Sequence, residues 1–256
     1  MKKEITIHRT RIGKDIIAEF IIPPSLKAQK EGRVAIICRG APTMPGYSSV
    51  LEFLAKKGFY AIVPRYRGTW ESSGTFLQHD PTGDIKEVID ALAKPLLSLW
   101  EGKEYRLPKK IQICLFASSF GGPAAFFLST DKRVSKVVAL SPVCDWSDDC
   151  GVEPLDELDA MTKLYYGEGY RLAKNAWKKL KKGDFYNPMT AIDRIDPTKV
   201  LIFHTEDDDV VSIASVERYA VVTDAKLLVS KDGGHLGVSE IMEPETWKEI
   251  TKFLKK

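Results

Sequence analysis

Ser119, His235 and four carboxylates at positions 206–209 are the groups in this chain whose chemistry combines. A serine hydroxyl is a weak nucleophile at its free pKa, so Ser119 needs a base, and the base needs an acid to orient it. Ser119 lies in Ala117-Ser-Ser-Phe-Gly-Gly122, between the apolar run Ile111–Phe116 and a helical pattern that begins at Gly121. A sharp strand-to-helix turn there lifts the hydroxyl above the sheet, and small flanking residues let neighbouring backbones approach. The same Ser-Ser-x-Gly-Gly run would also serve as an ordinary helix N-cap. Of the four histidines, His8 falls in the first strand, His79 beside Asp80 in a polar loop, and His204 at a strand end, where a satisfied, partly buried imidazole is expected. His235 sits in Lys231-Asp-Gly-Gly-His-Leu-Gly237, directly after the last strand, and is the candidate base. The acid is expected on the loop after the preceding strand, where Glu206, Asp207, Asp208 and Asp209 crowd together. Such crowding is costly unless some carboxylates face water or a cation. A calcium site would account for it, but the segment lacks the spaced oxygen ligands of an EF-hand loop.

These groups need a scaffold that brings three distant loops to one edge. Lys3–His8 and Asp15–Ile22 read as an N-terminal hairpin, and Pro23-Pro24 ends it. Arg33–Cys38 is a buried-strand run, followed by the turn-rich loop Arg39–Gly46, a helix over 48–57 and a strand over Phe59–Val63. Asp84–Trp100 has a helical apolar stripe that Pro95 should kink or shorten. Val134–Leu140 and Lys199–His204 are further strands, 211–223 a helix, Ala225–Val229 the last strand, and Glu240–Lys255 a closing amphipathic helix. Strands alternating with helices imply βαβ crossovers and a mostly parallel sheet, which makes this an α/β protein. The alternation breaks from about Asp145 to Asp193, where the sequence is charged, helical in character and without a strand-like run. That segment reads as a helical lid insertion in a single domain spanning 1–256.

Composition narrows the function classes. With 256 residues, 44% hydrophobic, 29% charged and a net charge of +3, the chain suits one α/β domain with a large core. The basic excess is too slight to argue for nucleic acid, and no apolar run approaches the roughly 20 residues that span a bilayer. The N-terminus lacks a signal-peptide apolar region, so the expected location is cytoplasmic. No Gly-rich phosphate loop follows the first strand of a βαβ unit, which argues against a nucleotide or NAD enzyme. Cys38 and Cys114 sit in apolar runs; Cys144 and Cys150 are close enough to close a small disulfide loop. The scarcity of Asn and Gln beside abundant Lys, Glu and Arg suggests a heat-adapted source.

The chain resembles the α/β-hydrolase superfamily, and within it the catalytic domain of the prolyl oligopeptidase family and related small esterases. The resemblance is carried by Ala117–Gly122, Tyr66-Arg-Gly-Thr-Trp-Glu-Ser-Ser-Gly74, Tyr186-Asn-Pro-Met-Thr-Ala-Ile192, Val200–Val211 and Gly233-Gly-His235, and covers the chain from about Arg33 onward. It implies the order Ser119, Asp208, His235 for the triad: in the family's His-Gly-x-x-Asp-x-x-Val pattern the acid falls on Asp208, with Thr205 in place of the glycine. It also implies an oxyanion hole from the backbone N–H groups of Phe120 and Ala41. Two departures lie beside these groups: Ala117 for the first elbow glycine and Arg39 for the usual histidine before Gly40. Arg39 would either pair with a carboxylate or project into the pocket and select an anionic substrate. Trp146, Leu164, Tyr165, Tyr166 and Trp177 of the insertion would either shape the pocket or form the insertion's own core. The implied activity is a serine hydrolase acting on carboxylic esters, with peptides or amides next and no cofactor required; a binding protein that keeps the fold without chemistry is the reading from another class. The expected partner is a small ester or short peptide; an exposed apolar edge or the lid could support a homodimer.

Overall fold

Buried apolar runs at regular intervals assemble into one sheet of eight strands. The structure, a computed structural model, describes residues 6–148, 154–183 and 185–255. In chain order the strands are β1 (Ile7–Ile12), β2 (Ile16–Ile21), β3 (Arg33–Cys38), β4 (Tyr60–Pro64), β5 (Leu96–Ser98), β6 (Lys103–Tyr105), β7 (Gln112–Ser118), β8 (Val134–Leu140), β9 (Val200–Thr205) and β10 (Lys226–Ser230). The helices are α1 (Leu26–Glu31), α2 (Ser48–Lys56), α3 (Thr82–Ala91), α4 (Gly122–Phe127), α5 (Leu158–Tyr166), α6 (Ile213–Thr223) and α7 (Pro244–Leu254). The main sheet runs β1-β2-β4-β3-β7-β8-β9-β10, antiparallel through β1, β2 and β4 and parallel from β4 to β10. This is the α/β-hydrolase arrangement.

Alternation along the central strands divides the core between the two faces of the sheet. Val34, Ile36 and Cys38 of β3 join one cluster with α3, α4 and the 145–193 insertion; Ala35 and Ile37 join the other with α2 and α7. The chain passes from β3 to β4 on one side and later to β7 on the other, so the carboxyl ends of β3 and β7 flank a crevice where the strand order reverses. Loops that leave such a switch point are where open α/β sheets bind ligands.

The first strand, β1, runs past its expected end at His8 to Ile12, and residues 3–5 of its expected span lie outside the described residues. Three further elements differ from the sequence expectation. The polar segment after Pro24 contains α1, capped by Ser25 Oγ, which accepts from Ala28 N. The stripe over Asp84–Trp100 is α3 only to Ala91; beyond Pro95 the chain turns back as the β5–β6 hairpin, because proline removes a helical donor and its ring clashes with the preceding turn. The insertion is less regular than expected: α5 and short 3-10 turns at Gly167–Gly169, Trp177–Lys182, Pro188–Thr190 and Ile192–Arg194, with isolated bridges Thr69–Tyr170 and Phe76–Leu172. Cys144 is buried, and its expected partner Cys150 lies outside the described residues. Among the described residues, no helix is long and apolar enough to cross a membrane.

Candidate active site

β7 carries the chain into the crevice and stops at Ser118. Ser119 then takes a left-handed φ of +48°, which costs a residue with a Cβ and persists only where the surroundings enforce it. The enforcement is steric. A Cβ on Gly121 would lie 2.1 Å from the Cys38 carbonyl oxygen, and one on Gly122 would lie 2.6 Å from Pro142 Cβ. Only glycine lets the start of α4 pass so close to the end of β3 and to the segment after β8. Ala117, by contrast, is an ordinary buried strand residue, so its methyl group leaves the turn intact.

Beneath the turn, the buried Phe120 ring is surrounded by Tyr66, Phe76, Trp146, Trp177 and Tyr186, with ring centroids 5.1–6.0 Å away. Tyr186 adds a polar tie: its hydroxyl donates to Phe120 O at 2.8 Å and accepts from Ala124 N at 3.2 Å. The loop after β3 is pinned from the same side. Tyr166 donates to Pro42 O at 3.2 Å; Tyr170 donates to Thr43 O at 3.2 Å and accepts from Thr43 N at 2.8 Å; Trp70 Nε1 donates to Thr43 O at 3.1 Å. The Tyr66 hydroxyl donates to Arg39 O at 3.0 Å. The insertion thus braces the backbone on which the Ala41 and Phe120 amides stand.

The structure brings His235 and Asp208 together. Asp208 follows β9, its side chain is fully buried, and both carboxylate oxygens lie 3.0 Å from His235 Nδ1. Val210 N and Val211 N donate to Oδ1 at 3.0 and 2.9 Å. Burial alone would raise its pKa, but the bonds from His235, Val211 N and Ser141 outweigh that and bring it down to about 2. Asp208 is therefore a carboxylate at neutral pH, Nδ1 carries the donated proton, and Nε2 is the basic nitrogen. The other acids are disposed differently: Glu206, Asp207 and Asp209 are exposed, and Asp207 accepts from Gly233 N and Gly234 N. That arrangement relieves the crowding, and it makes Asp207 a clamp on the His235 loop.

His204 is more buried than expected. It is 1% exposed, and its Nε2 donates to Val211 O at 3.0 Å while lying 3.6 Å from Asp208 Oδ2. Burial lowers its pKa against the pull of Asp208, so it stands as a neutral ring beside the acid. Thr205 donates to Gly234 O at 2.7 Å and holds the same loop. Ser141 was not singled out in the sequence, where it closes a strand. It is fully buried at φ +42°, its Oγ accepts from Leu236 N at 2.9 Å, and it also bonds to Asp208, so one hydroxyl ties the acid to the residue after the imidazole.

Ser119, Ala41 and His235 line one cavity of about 420 Å³. Its remaining walls come from the 40–50 segment, including Met44 and Tyr47, from Leu236–Ser239, and from Ser118 and Val210. Ser119 and His235 both face this space, without a direct hydrogen bond between them. Gly40 passes close behind, since a Cβ there would lie 3.5 Å from Ser119 Cβ.

The three expected pocket residues are elsewhere. Trp146 is core, donating from Nε1 to Tyr186 O, because its indole packs under Phe120. Tyr165 points to solvent at 68% exposure from the outer face of α5. Arg39 is 1% exposed and absent from the cavity wall; its guanidinium lies 5.8 Å from the Tyr47 ring that forms part of that wall. Among the described residues no carboxylate pairs with it, and Nε and Nη2 are buried without a hydrogen-bond partner. The cation is met by an aromatic face instead.

No family model matches the chain, and no curated protein matches its sequence. Solved structures do resemble it. The Pyrococcus furiosus esterase Pf2001 superposes with a TM-score of 0.67 at 19% identity, over 98% of this chain and 91% of its own. The Pyrococcus horikoshii acylaminoacyl peptidase gives 0.66 at 14% identity, over 100% of this chain and 42% of its own. DcsB, in complex with its substrate analogue, gives 0.65 at 16% identity, over 98% and 99%. At these identities the likeness is one of fold.

Proposed function

We propose that the protein is a serine hydrolase that cleaves carboxylic esters through an acyl-enzyme. The observation that carries this reading is the buried Asp208 carboxylate on Nδ1 of His235, with that imidazole and the strained Ser119 lining one cavity. His235 Nε2 takes the Ser119 proton as Oγ attacks the ester carbonyl, and Asp208 stabilises the imidazolium that forms. The negative charge on the former carbonyl oxygen is received by the N–H groups of Phe120 and Ala41, each worth a few kcal/mol in such sites. The proton then passes from Nε2 to the departing alkoxide. Water, deprotonated by the same nitrogen, attacks the acyl carbonyl; the bond to Ser119 Oγ breaks, Oγ takes the proton back from Nε2, and the carboxylic acid leaves.

An amide-cleaving enzyme of the acylaminoacyl peptidase kind would use the same groups. The ester reading is supported by the Pf2001 esterase, which matches along nearly its whole length, whereas more than half of the acylaminoacyl peptidase chain lies outside the match. Hydrolysis of p-nitrophenyl esters of graded chain length, set against an N-acyl-amino-acid p-nitroanilide, tests the choice. Turnover of the esters with little of the anilide is expected. Preference for the anilide would make it a peptidase, and a folded protein that cleaves neither would make it a binding protein.

A further inference from the structure

At the other end of the sheet, below the amino-terminal ends of β3, β7 and β8, lies a second cavity of about 440 Å³, as large as the candidate active site. Its charged side chains are Arg33, Lys57, Lys136 and Lys255, and no Asp or Glu is among its lining residues. In a chain whose net charge is only +3, four cations round one hollow are a concentration. Arg33 is partly matched: Nε lies 3.4 Å from Glu31 and Nη2 donates to Lys57 O at 3.0 Å. Among the described residues, no carboxylate pairs with Lys57, Lys136 or Lys255.

The apolar part of the lining is aromatic. Phe59 and Trp247 meet edge to face at 6.4 Å, and the buried Cys114 of β7 also lines the cavity. Trp247, Thr251 and Leu254 enter from one face of α7, the spacing of a helical stripe. Cations are held over rings: Arg33 over Phe59 at 4.8 Å, Lys57 over Trp247 at 5.5 Å, and Lys136 over Phe253 at 4.5 Å. These contacts fix the charges near the hollow, where Glu31 is the one carboxylate among the described residues that pairs with any of the four cations.

We propose that this cavity binds a small organic anion: an apolar body against Trp247 and Leu254, with a carboxylate or phosphate among the four cations. Concave sites lined by aromatic side chains and a few convergent polar groups are the usual form of small-molecule sites.

The test is a fluorescence titration with 8-anilinonaphthalene-1-sulfonate on the wild type, on Lys57→Glu/Lys136→Glu, and on the neutral Lys57→Met/Lys136→Met in case charge reversal disturbs folding. Saturable binding to the wild type is expected, weakened about tenfold or more by charge reversal, less by neutralisation, and by rising salt. Displacement by benzoate against phenyl phosphate identifies the preferred anionic group. Ester hydrolysis by these variants should equal that of the wild type, and the binding result stands even if no ester is cleaved. Equal binding by the wild type and both variants, or binding of neutral N-phenyl-1-naphthylamine as tightly as the sulfonate, would overturn the proposal.

Discussion

Ser119 stands on a turn fixed by contact distances, whereas Asp208 and His235 stand on two loops fixed by hydrogen bonds and charge. On the serine side, Gly121 and Gly122 allow backbones to approach, and the rings of Trp146, Trp177 and Tyr186 fill the space beneath Phe120. On the other side, the Val210 and Val211 amides, Ser141, Thr205 and Asp207 hold acid and imidazole through polar bonds. A steric site responds to volume and an electrostatic one to protonation, so the two halves of one cavity should fail under different perturbations.

The largest effect is expected from Asp208→Asn, which keeps the shape but stabilises the wrong imidazole tautomer. Ester kcat/KM should fall by about 10³–10⁴, as triad acids removed elsewhere have shown. Acid unfolding sharpens the same point. The Asp208 pKa is depressed to about 2 in the folded state, against about 3.9 in an unfolded chain. Its contribution is therefore complete above about pH 4 and is lost as pH falls toward 2, on the order of 2 kcal/mol. Urea midpoints of wild type and Asp208→Asn should converge over that interval.

Gly121→Ala probes the steric half. With Cβ 2.1 Å from a backbone oxygen the turn must move, and the loss should reach about 3 kcal/mol or more of unfolding free energy. Gly46→Ala, where nothing lies within 4 Å of the added Cβ, should change stability by about 0.5 kcal/mol or less. Ser141→Ala comes next: it strips a bond from Leu236 N and from Asp208 and should lower kcat/KM by about tenfold, the worth of one buried bond to a charged group. Thr205→Val should cost about 1 kcal/mol through the lost bond to Gly234 O, read as a shift in thermal midpoint.

The same division decided what could be read from the sequence. Buried strands announce themselves as bounded apolar runs, and the expected bounds of β3 and β8 are those observed. The positions of Ser119 and His235 follow from two other strands, because each stands on the loop just beyond one, β7 and β10. The stripe past Ala91 misleads because Leu92 and Leu96 keep a helical period across Pro95 and pack as a turn and a strand instead. The cavity wall was not legible. Tyr47 and Met44 owe their places to how the 40–46 loop is pinned from 166–170, a contact across more than 120 positions that no local pattern encodes. For the same reason Arg39, directly after β3, and Trp146, on the segment beyond β8, turn into the core. Ser141 was hidden because a serine before proline reads as a strand terminator.

The central claim is that Ser119 is the nucleophile. The direct measurement is reaction of the folded protein with a fluorophosphonate, followed by peptide mass spectrometry. A single adduct on the peptide containing Ser119, absent in Ser119→Ala and formed far more slowly in Asp208→Asn, is the predicted result. An adduct on another residue, or none on the folded wild type, would contradict it.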